Sequence, residues 1–228
     1  ESKGETDVYQ GVRPVIQVPP REDAAGVVMV ISDGRPTKGM RDGRAIINAL
    51  TDENQLRNAI FAFGAGKTAN RPLLDLLAYR NIGEAHIAPS TDRINTDLPG
   101  FFDRVSDPIL VDCSARFGRI DEKSVFPREI PDFYKGLAVT LYGRYDPAKD
   151  KLFAFRLTGR AAGKRKEVIY TKDFSEAEKG TEDIARKWAF AKIYHLIGET
   201  TRVGETPELQ AEIRQLSKQF GIQTSYDE

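Results

Sequence analysis

The stretch Val-Val-Met-Val-Ile-Ser-Asp-Gly, residues 27–34, carries the clearest information about the fold. Five consecutive apolar residues that end in a Ser-Asp-Gly turn predict a strand buried on both faces of a parallel sheet. A second run of this kind, residues 59–63, ends at Gly-Ala-Gly, and residues 85–87 predict a short third strand.

Helical patterns separate these strands. Apolar residues at 46, 47 and 50 share one helix face, and a second helix opens at Asn70 and closes at Gly83. A third segment, residues 90–102, begins at the candidate N-cap Ser90 and is interrupted at Pro99-Gly100. This alternation of strands and helices predicts a layered α/β sheet with right-handed crossovers.

Beyond residue 105 the sequence changes to short segments rich in β-branched and aromatic residues. They lie at 109–113, 137–142, 152–157 and 168–171. A period of two within them is typical of an antiparallel sheet with one polar face. Lys164-Arg165-Lys166, between the last two segments, predicts a solvated basic hairpin end.

Two helices are predicted at the end of the sequence. Thr181 is a candidate cap for the first, whose apolar stripe contains Ile184, Trp188, Ala191 and His195. Its single tryptophan is expected to anchor the helix in the core. Thr206-Pro207 begins the second helix and Gly221 ends it.

The composition excludes several classes of protein. In 228 residues, 34 Lys and Arg balance 34 Asp and Glu, so the zero net charge argues against nucleic acid or an anionic membrane as the main partner. No apolar run approaches the ~20 residues of a membrane span. Cys113 is the single cysteine, which excludes an intrachain disulfide, and its predicted strand favours a packed thiol over a nucleophile.

The segment Gly64-Ala65-Gly66-Lys67-Thr68 is similar to a phosphate-binding loop. A true P-loop has four residues between its first glycine and Gly-Lys-Thr, so that successive amides wrap a phosphate. Counting back from Gly66 reaches Phe61, inside a predicted strand. A plain strand-to-helix turn is therefore favoured over nucleotide binding.

Asp33 is the leading candidate for a metal ligand. It follows the first strand at its carboxyl end, where open α/β sheets place ligands, and its carboxylate could hold a hydrated divalent cation. The alternative is a plain Ser-Asp-Gly turn. Thr6 offers either a second hydroxyl ligand or a helix cap. His86 and His195 have no neighbour at metal-binding spacing, and no Gly-x-Ser-x-Gly elbow predicts a hydrolase.

Several of these motifs together resemble a known family. Residues 27–37 resemble the central strand and third metal-site loop of a von Willebrand factor type A domain, residues 60–78 its next strand and helix, and residues 4–8 its threonine loop. Later motifs resemble the region after the A domain in inter-alpha-trypsin inhibitor heavy chains and in bacterial proteins with the same VIT-plus-A-domain layout. These motifs are Asp107-Pro108, Val125-Phe126-Pro127, Ile130-Pro131-Asp132-Phe133, Tyr142-Gly143-Arg144-Tyr145 and Ile184-Ala185-Arg186-Lys187-Trp188-Ala189.

The resemblance implies a definite domain organisation and a metal site. Residues 1–104 would be the C-terminal part of a Rossmann-like A domain with a mostly parallel sheet. Residues 105–180 would form an antiparallel β-sandwich module, on which helices in 181–228 pack. Thr6 and Asp33 would help to hold Mg²⁺, or Mn²⁺ or Ca²⁺, and a partner carboxylate would complete the coordination.

The chain also departs from the family pattern. The family's Asp-x-Ser-x-Ser loop, which precedes the threonine loop, is absent from these residues, so the metal site is incomplete. The strand at 27–31 would then have an unpaired edge and an uncovered face, which favours aggregation. We therefore expect a partial piece, completed by its N-terminal half or by another subunit.

The favoured function is a non-enzymatic protein-binding or scaffolding module with metal-assisted recognition of a partner carboxylate. One alternative is a structural subunit of a larger assembly with a vestigial metal site. A lesser one is a nucleotide-binding enzyme that uses Gly64–Thr68. The expected partner is a protein. The resemblance implies an extracytoplasmic location, since bacterial relatives of this layout are usually exported.

Overall fold

The computed structural model describes residues 4–21, 24–177, 180–224 and 226. Its helices are α1 (Val8–Ile16), α2 (Gly43–Asn54), α3 (Arg71–Arg80), α4 (Ile94–Val105), α5 (Glu182–Val203) and α6 (Pro207–Phe220). Its strands are β1 (Gly26–Ile31), β2 (Asn58–Ala65), β3 (Ala85–Ala88), β4 (Pro108–Arg116), β5 (Phe133–Tyr134), β6 (Leu152–Ala161) and β7 (Lys164–Asp173).

The chain divides into two compact units. The first comprises Glu1–Val111, Pro131–Ala138 and Ala161–Lys164. The second comprises Asp112–Ile130, Val139–Arg160 and Arg165–Glu228.

The parallel sheet predicted from the N-terminal pattern is present in the first unit. Its strand order is β1-β2-β3, with both pairs parallel. The first seven residues of β2 are all buried, as expected for a strand covered on both faces. The prediction from the apolar run that β1 is buried on both faces is wrong, whereas the unpaired edge and uncovered face expected for this strand are present. This strand lies at the edge of the sheet, where Val28 and Val30 are buried but Ile31 is 60% exposed.

The helices of the first unit follow the predicted apolar positions. The apolar residues at 46, 47 and 50 are buried on α2, and the Asn70 side chain caps α3 by accepting a hydrogen bond from Leu73 N. The predicted interruption at Pro99-Gly100 is wrong, because α4 runs through it. Phe101 and Val105 are buried in the core on this helix, and their burial stabilises it despite the missing proline N–H.

The second sheet has the strand order β5-β4-β6-β7, and β4 pairs with β5 in antiparallel orientation. The strand predicted at 137–142 is wrong, since only Tyr142 pairs there, with Phe126 at N···O distances of 2.8 and 2.9 Å. Leu141 packs instead against the hydrophobic cluster of Phe117, Ile120 and Val125. Beyond residue 105 the described residues thus form one four-stranded sheet, and the second sheet that a sandwich needs remains a prediction.

Strands β6 and β7 are longer than the sequence predicted. Their connection is the two-residue turn Ala162-Gly163, with φ of +48° and +72°, values that suit a tight hairpin. Residues 164–166, predicted as a solvated basic hairpin end, are exposed and form the first three residues of β7, directly after this turn. Residues 158–160, which follow the strand predicted at 152–157, also lie inside β6, since a two-residue hairpin lets both strands continue almost to the tip.

Helices α5 and α6 pack around Trp188, as predicted. The indole is buried, and its Nε1–H donates to the Ser124 carbonyl at 2.8 Å. Of the predicted stripe on α5, Trp188 is buried and Ala191 packs against the same core cluster. The His195 ring centroid lies 5.4 Å from that of Phe126, and only Ile184 departs from the prediction, since it is exposed. Thr206 and Gly221 bound α6 as expected. No helix in the described ranges is long and apolar enough to cross a membrane.

Candidate functional site

The loop after β1 is a tight turn held by its own side chains. Ser32 Oγ accepts a hydrogen bond from Gly34 N at 3.0 Å, and Asp33 Oδ1 accepts one from Arg35 N at 3.0 Å. Ser32 N also donates to the Phe63 carbonyl at 3.0 Å, which continues the β1–β2 ladder. The position of this loop is therefore set by the parallel sheet.

Asp33 is also tied to the start of α3. Its carbonyl accepts a hydrogen bond from Asn70 N at 2.7 Å. Gly34 makes this close approach possible, since its φ is +67° and a Cβ there would lie 3.1 Å from Leu74 Cγ and 3.2 Å from the Asn70 carbonyl. The Asp33 residue itself is exposed. A carboxylate is thus presented on a rigid backbone at the carboxyl edge of the sheet.

Thr6 lies against the end of the same loop. Thr6 N donates to Thr37 Oγ1 at 2.7 Å, and the Thr6 carbonyl accepts from Thr37 N at 2.8 Å and Lys38 N at 3.1 Å. The salt bridge between Glu5 and Lys38, 2.7 Å long, adds an exposed contact. The segment around Thr6 and the loop after β1, which were separate candidates in the sequence, are therefore joined by three hydrogen bonds.

The helix that follows Thr6 is capped by Asp7. The Asp7 Oδ1 atom accepts from Gln10 N at 3.0 Å. A Cβ on Gly39, whose φ is +65°, would lie 2.0 Å from Asp7 Oδ2, so this glycine allows the loop to approach the cap. The alternative that Thr6 caps a helix is therefore wrong, and its hydroxyl remains a candidate ligand.

The oxygen atoms of these loops are the kind of ligand that a hard cation prefers, but they are too few for a complete coordination sphere. Mg²⁺ and Ca²⁺ take six or more oxygen ligands, commonly with carboxylates among them. The joined loops offer the carboxylate of Asp33 and the hydroxyls of Thr6, Ser32 and Thr37, while the Glu5 carboxylate pairs with Lys38 and that of Asp7 caps α1. Nowhere in the described ranges do three or more His, Cys, Asp or Glu residues form a metal-binding group. By themselves these residues do not fit a complete metal site.

The segment Gly64–Thr68 does not have the geometry of a phosphate loop. Gly64 lies within β2, and a Cβ there would come within 2.8 Å of Leu74 Cδ1. Gly66 N donates to the Ala88 carbonyl at 2.9 Å, and Ala69 N donates to the Gly66 carbonyl at 3.3 Å. These amides complete the sheet and a short turn, so the plain turn is the better interpretation.

The other sequence candidates lie in ordinary packing environments. His86 stacks on Phe63 with ring centroids 5.5 Å apart, and its Nε2 lies 3.4 Å from Asp97 Oδ2. Burial lowers the pKa of the His195 imidazole below its usual value. Cys113 is partly buried on β4.

Thr37 falls in the resembling segment 27–37 and Asn70 begins a predicted helix, but the contacts of both residues in this site were missed. Asn70 was expected only as a helix cap, and its backbone N–H also fixes Asp33. Thr37 lies four residues after the aspartate, outside any helix or strand, so no periodicity identifies it. Its Oγ1 atom is recognised only when Thr6 is placed beside it.

Comparison with known proteins supports the resemblance drawn from the motifs. No protein-family model matches the chain. The inter-alpha-trypsin inhibitor heavy chain H1 of Homo sapiens is 21% identical over 217 residues, which cover 91% of this chain and 24% of the heavy chain. This chain therefore spans about a quarter of the length of the curated relatives it matches, and its resemblance to these heavy chains is confirmed.

Similar solved structures are von Willebrand factor type A proteins. The ArnB paralog VWA2 from Sulfolobus acidocaldarius has a TM-score of 0.48 and 15% identity, over 97% of this chain and 63% of that chain. A von Willebrand factor type A protein from Catenulispora acidiphila has a TM-score of 0.47 and 12% identity, over 88% of this chain and 57% of that chain.

Proposed function

We propose that this chain is a non-enzymatic protein-binding or scaffolding module that recognises its partner at the carboxyl edge of the β1-β2-β3 sheet. The observation that carries the proposal is the joining of Thr6 to Thr37, which lies in the same loop as the exposed Asp33. Similarity to inhibitor heavy chains over 91% of the chain supports a binding role. The partner is a protein, either another subunit or a further segment of the same protein.

Recognition is metal-assisted in this proposal. Asp33 and Thr6 would hold part of the coordination sphere of Mg²⁺, or of Mn²⁺ or Ca²⁺, and a complementary segment would supply the remaining protein ligands. A bound divalent cation supplies a local positive charge that attracts a partner carboxylate. The turn around Ser32 and Gly34 holds Asp33 in place beforehand, which reduces the entropy lost on binding.

Paramagnetic Mn²⁺ tests this site directly, because it broadens the NMR signals of nearby amides even when binding is weak. In the ¹⁵N-labelled chain we expect the earliest broadening at residues 6–7 and 32–37. Asp33→Ala should remove this selectivity. Asp103→Ala, which deletes an exposed carboxylate on α4, is the matched control and should leave the pattern unchanged.

The proposal has two parts, metal binding at this edge and use of the site in partner binding, and each has its own refuting result. Broadening spread evenly over surface carboxylates, or unchanged in Asp33→Ala, would overturn metal assistance at this edge. A partner captured equally well by Asp33→Ala and in the presence of EDTA would show that binding does not use the site.

One observation favours the alternative of a structural subunit with a vestigial metal site. Strand β1 lies at the sheet edge with Val27 and Ile31 exposed, an apolar edge suited to permanent assembly. Assembly that survives Asp33→Ala but is lost in Ile31→Lys would favour this alternative. In either case we propose an extracytoplasmic location, as for exported proteins of similar layout. Protease accessibility in intact and lysed cells of the source organism tests that location.

A further inference from the structure

Strand β7 is the outer strand of the second sheet, and it is unusually open. All ten of its residues are exposed. Val168, Ile169 and Tyr170 in its middle are 52%, 59% and 54% exposed. Since side chains alternate between the two faces of a strand, this triplet places apolar surface on both faces of the edge. We propose that β7 is a docking edge that accepts an extended, acidic segment of a partner protein as an additional strand.

The backbone of β7 has hydrogen-bonding groups directed away from its neighbour. Phe174 N donates to the Lys151 carbonyl at 2.9 Å, just beyond the ends of β7 and β6. In an antiparallel pair the inward and outward residues alternate, so even-numbered residues of β7 face β6. The N–H and C=O groups of Arg165, Glu167, Ile169 and Thr171 therefore point to the open edge. An added strand can pair with this row.

The charges of β7 select the chemistry of the partner. Cationic residues occupy positions 164–166 at the hairpin end of the strand. The nearest acidic residue, Glu167, is offset by Arg156, whose Nε lies 3.9 Å from Glu167 Oε1. A strand with acidic residues at one end and apolar residues in the middle is thus complementary to β7. Lysines can also protect an edge from association, but that role leaves the exposed apolar triplet unexplained.

The same charges argue against a second copy of this chain as the occupant. In a symmetric antiparallel pair of β7 strands, outward-facing residues lie opposite outward-facing residues, so the two central registers place Lys172 opposite Lys164 or Lys166. Both registers therefore bring two cationic residues together. Like charges directly opposite one another in a sheet are destabilising. An acidic segment avoids this repulsion.

A synthetic peptide probes the proposal with the whole 228-residue chain. The acetylated, fluorescein-labelled peptide Thr-Glu-Thr-Val-Ile-Val-Thr-Glu-Glu-Glu places its glutamates opposite 164–166 when it pairs antiparallel. We expect saturable binding by fluorescence polarisation, and binding that weakens as salt is raised. A peptide N-methylated at alternate residues has the same side chains but cannot form the ladder, and it should not bind.

Two variants locate the binding edge. Ile169→Pro removes an outward N–H, and we expect roughly tenfold weaker binding; Ile169→Thr keeps the N–H and should lose markedly less. Lys166→Glu should weaken binding of the acidic peptide, and binding should be partly restored when lysine replaces the eighth peptide residue, the glutamate opposite position 166. Far-UV circular dichroism and Trp188 fluorescence confirm that each variant is folded.

Three results would overturn the proposal. The first is no saturable binding at millimolar peptide. The second is equal binding of the N-methylated peptide, which would indicate attraction by charge alone. The third is a dimer in sedimentation experiments that Ile169→Pro converts to monomer, which would identify a second copy of the chain as the occupant.

Discussion

Replacing Asn54 by alanine is expected to be strongly destabilising, because this side chain joins the ends of three elements of the first unit. Asn54 Nδ2 donates to the Asn58 carbonyl at 2.7 Å and to Asn81 Oδ1 at 2.9 Å. Its Oδ1 accepts from Asn58 N at 3.2 Å and from Asn58 Nδ2 at 3.0 Å. All three asparagines are buried, with at most 4% of their surface exposed.

The expected cost follows from these four hydrogen bonds. Each contributes about 0.5–1.5 kcal/mol net, and the loss is greater where a buried partner is left unsatisfied. Asn54→Ala should therefore lower the free energy of unfolding by about 3 kcal/mol. With a urea dependence of about 2 kcal/mol per molar, the unfolding midpoint should fall by about 1.5 M.

Urea unfolding followed by far-UV circular dichroism measures this change, and hydrogen exchange of residues 43–81 locates it. Asn95→Ala is the matched control, because it makes the same substitution at an exposed position on α4 and should stay within about 0.5 kcal/mol of the wild type. Equal midpoints for the two variants would refute the reasoning and show that this network contributes nothing net.

Three further perturbations test other parts of the structure. Gly83→Ala should lower Tm by several degrees, since its Cβ would lie 2.0 Å from the Ile60 carbonyl, whereas Gly100→Ala, with open space on α4, should raise it slightly. Trp188→Phe should cost about 1 kcal/mol in urea unfolding, because the ring burial is largely kept but a 2.8 Å hydrogen bond to a backbone carbonyl is lost. Burial holds the folded-state pKa of His195 below its usual 6.5, so its neutral form stabilises the fold above that pH. That contribution should be lost as pH falls through the lowered pKa, and His195→Gln should show a smaller loss across the same range.

The sequence correctly predicted those elements whose local residue pattern is compatible with only one structure. Strand β2 is apolar throughout and central, and Asn70 and Thr206 cap their helices as their positions indicated. Prediction failed where packing outweighs a local signal. Burial of Phe101 carries α4 through Pro99, and the alternating segment 137–142 packs largely outside any sheet.

The candidate site shows the same division. Asp33 and Thr6 were selected from the residues alone, and the turn at Asp33 was the alternative considered. Their relation was not predictable, because Thr37 joins the two segments from 31 positions along the chain. A hydrogen bond of that sequence separation leaves no periodic trace in the sequence.

The sequence by itself determined the α/β start, the later change to antiparallel strands, the helical ending and the resemblance to inhibitor heavy chains, since all of these depend on local patterns of apolar and turn residues. The tertiary structure alone decided that β7 lies at a sheet edge and that the loops around Thr6 and Asp33 meet. The physical reason is that an apolar strand has the same pattern at the centre of a sheet and at its edge. Only the position of its neighbours determines which surface remains open for a partner.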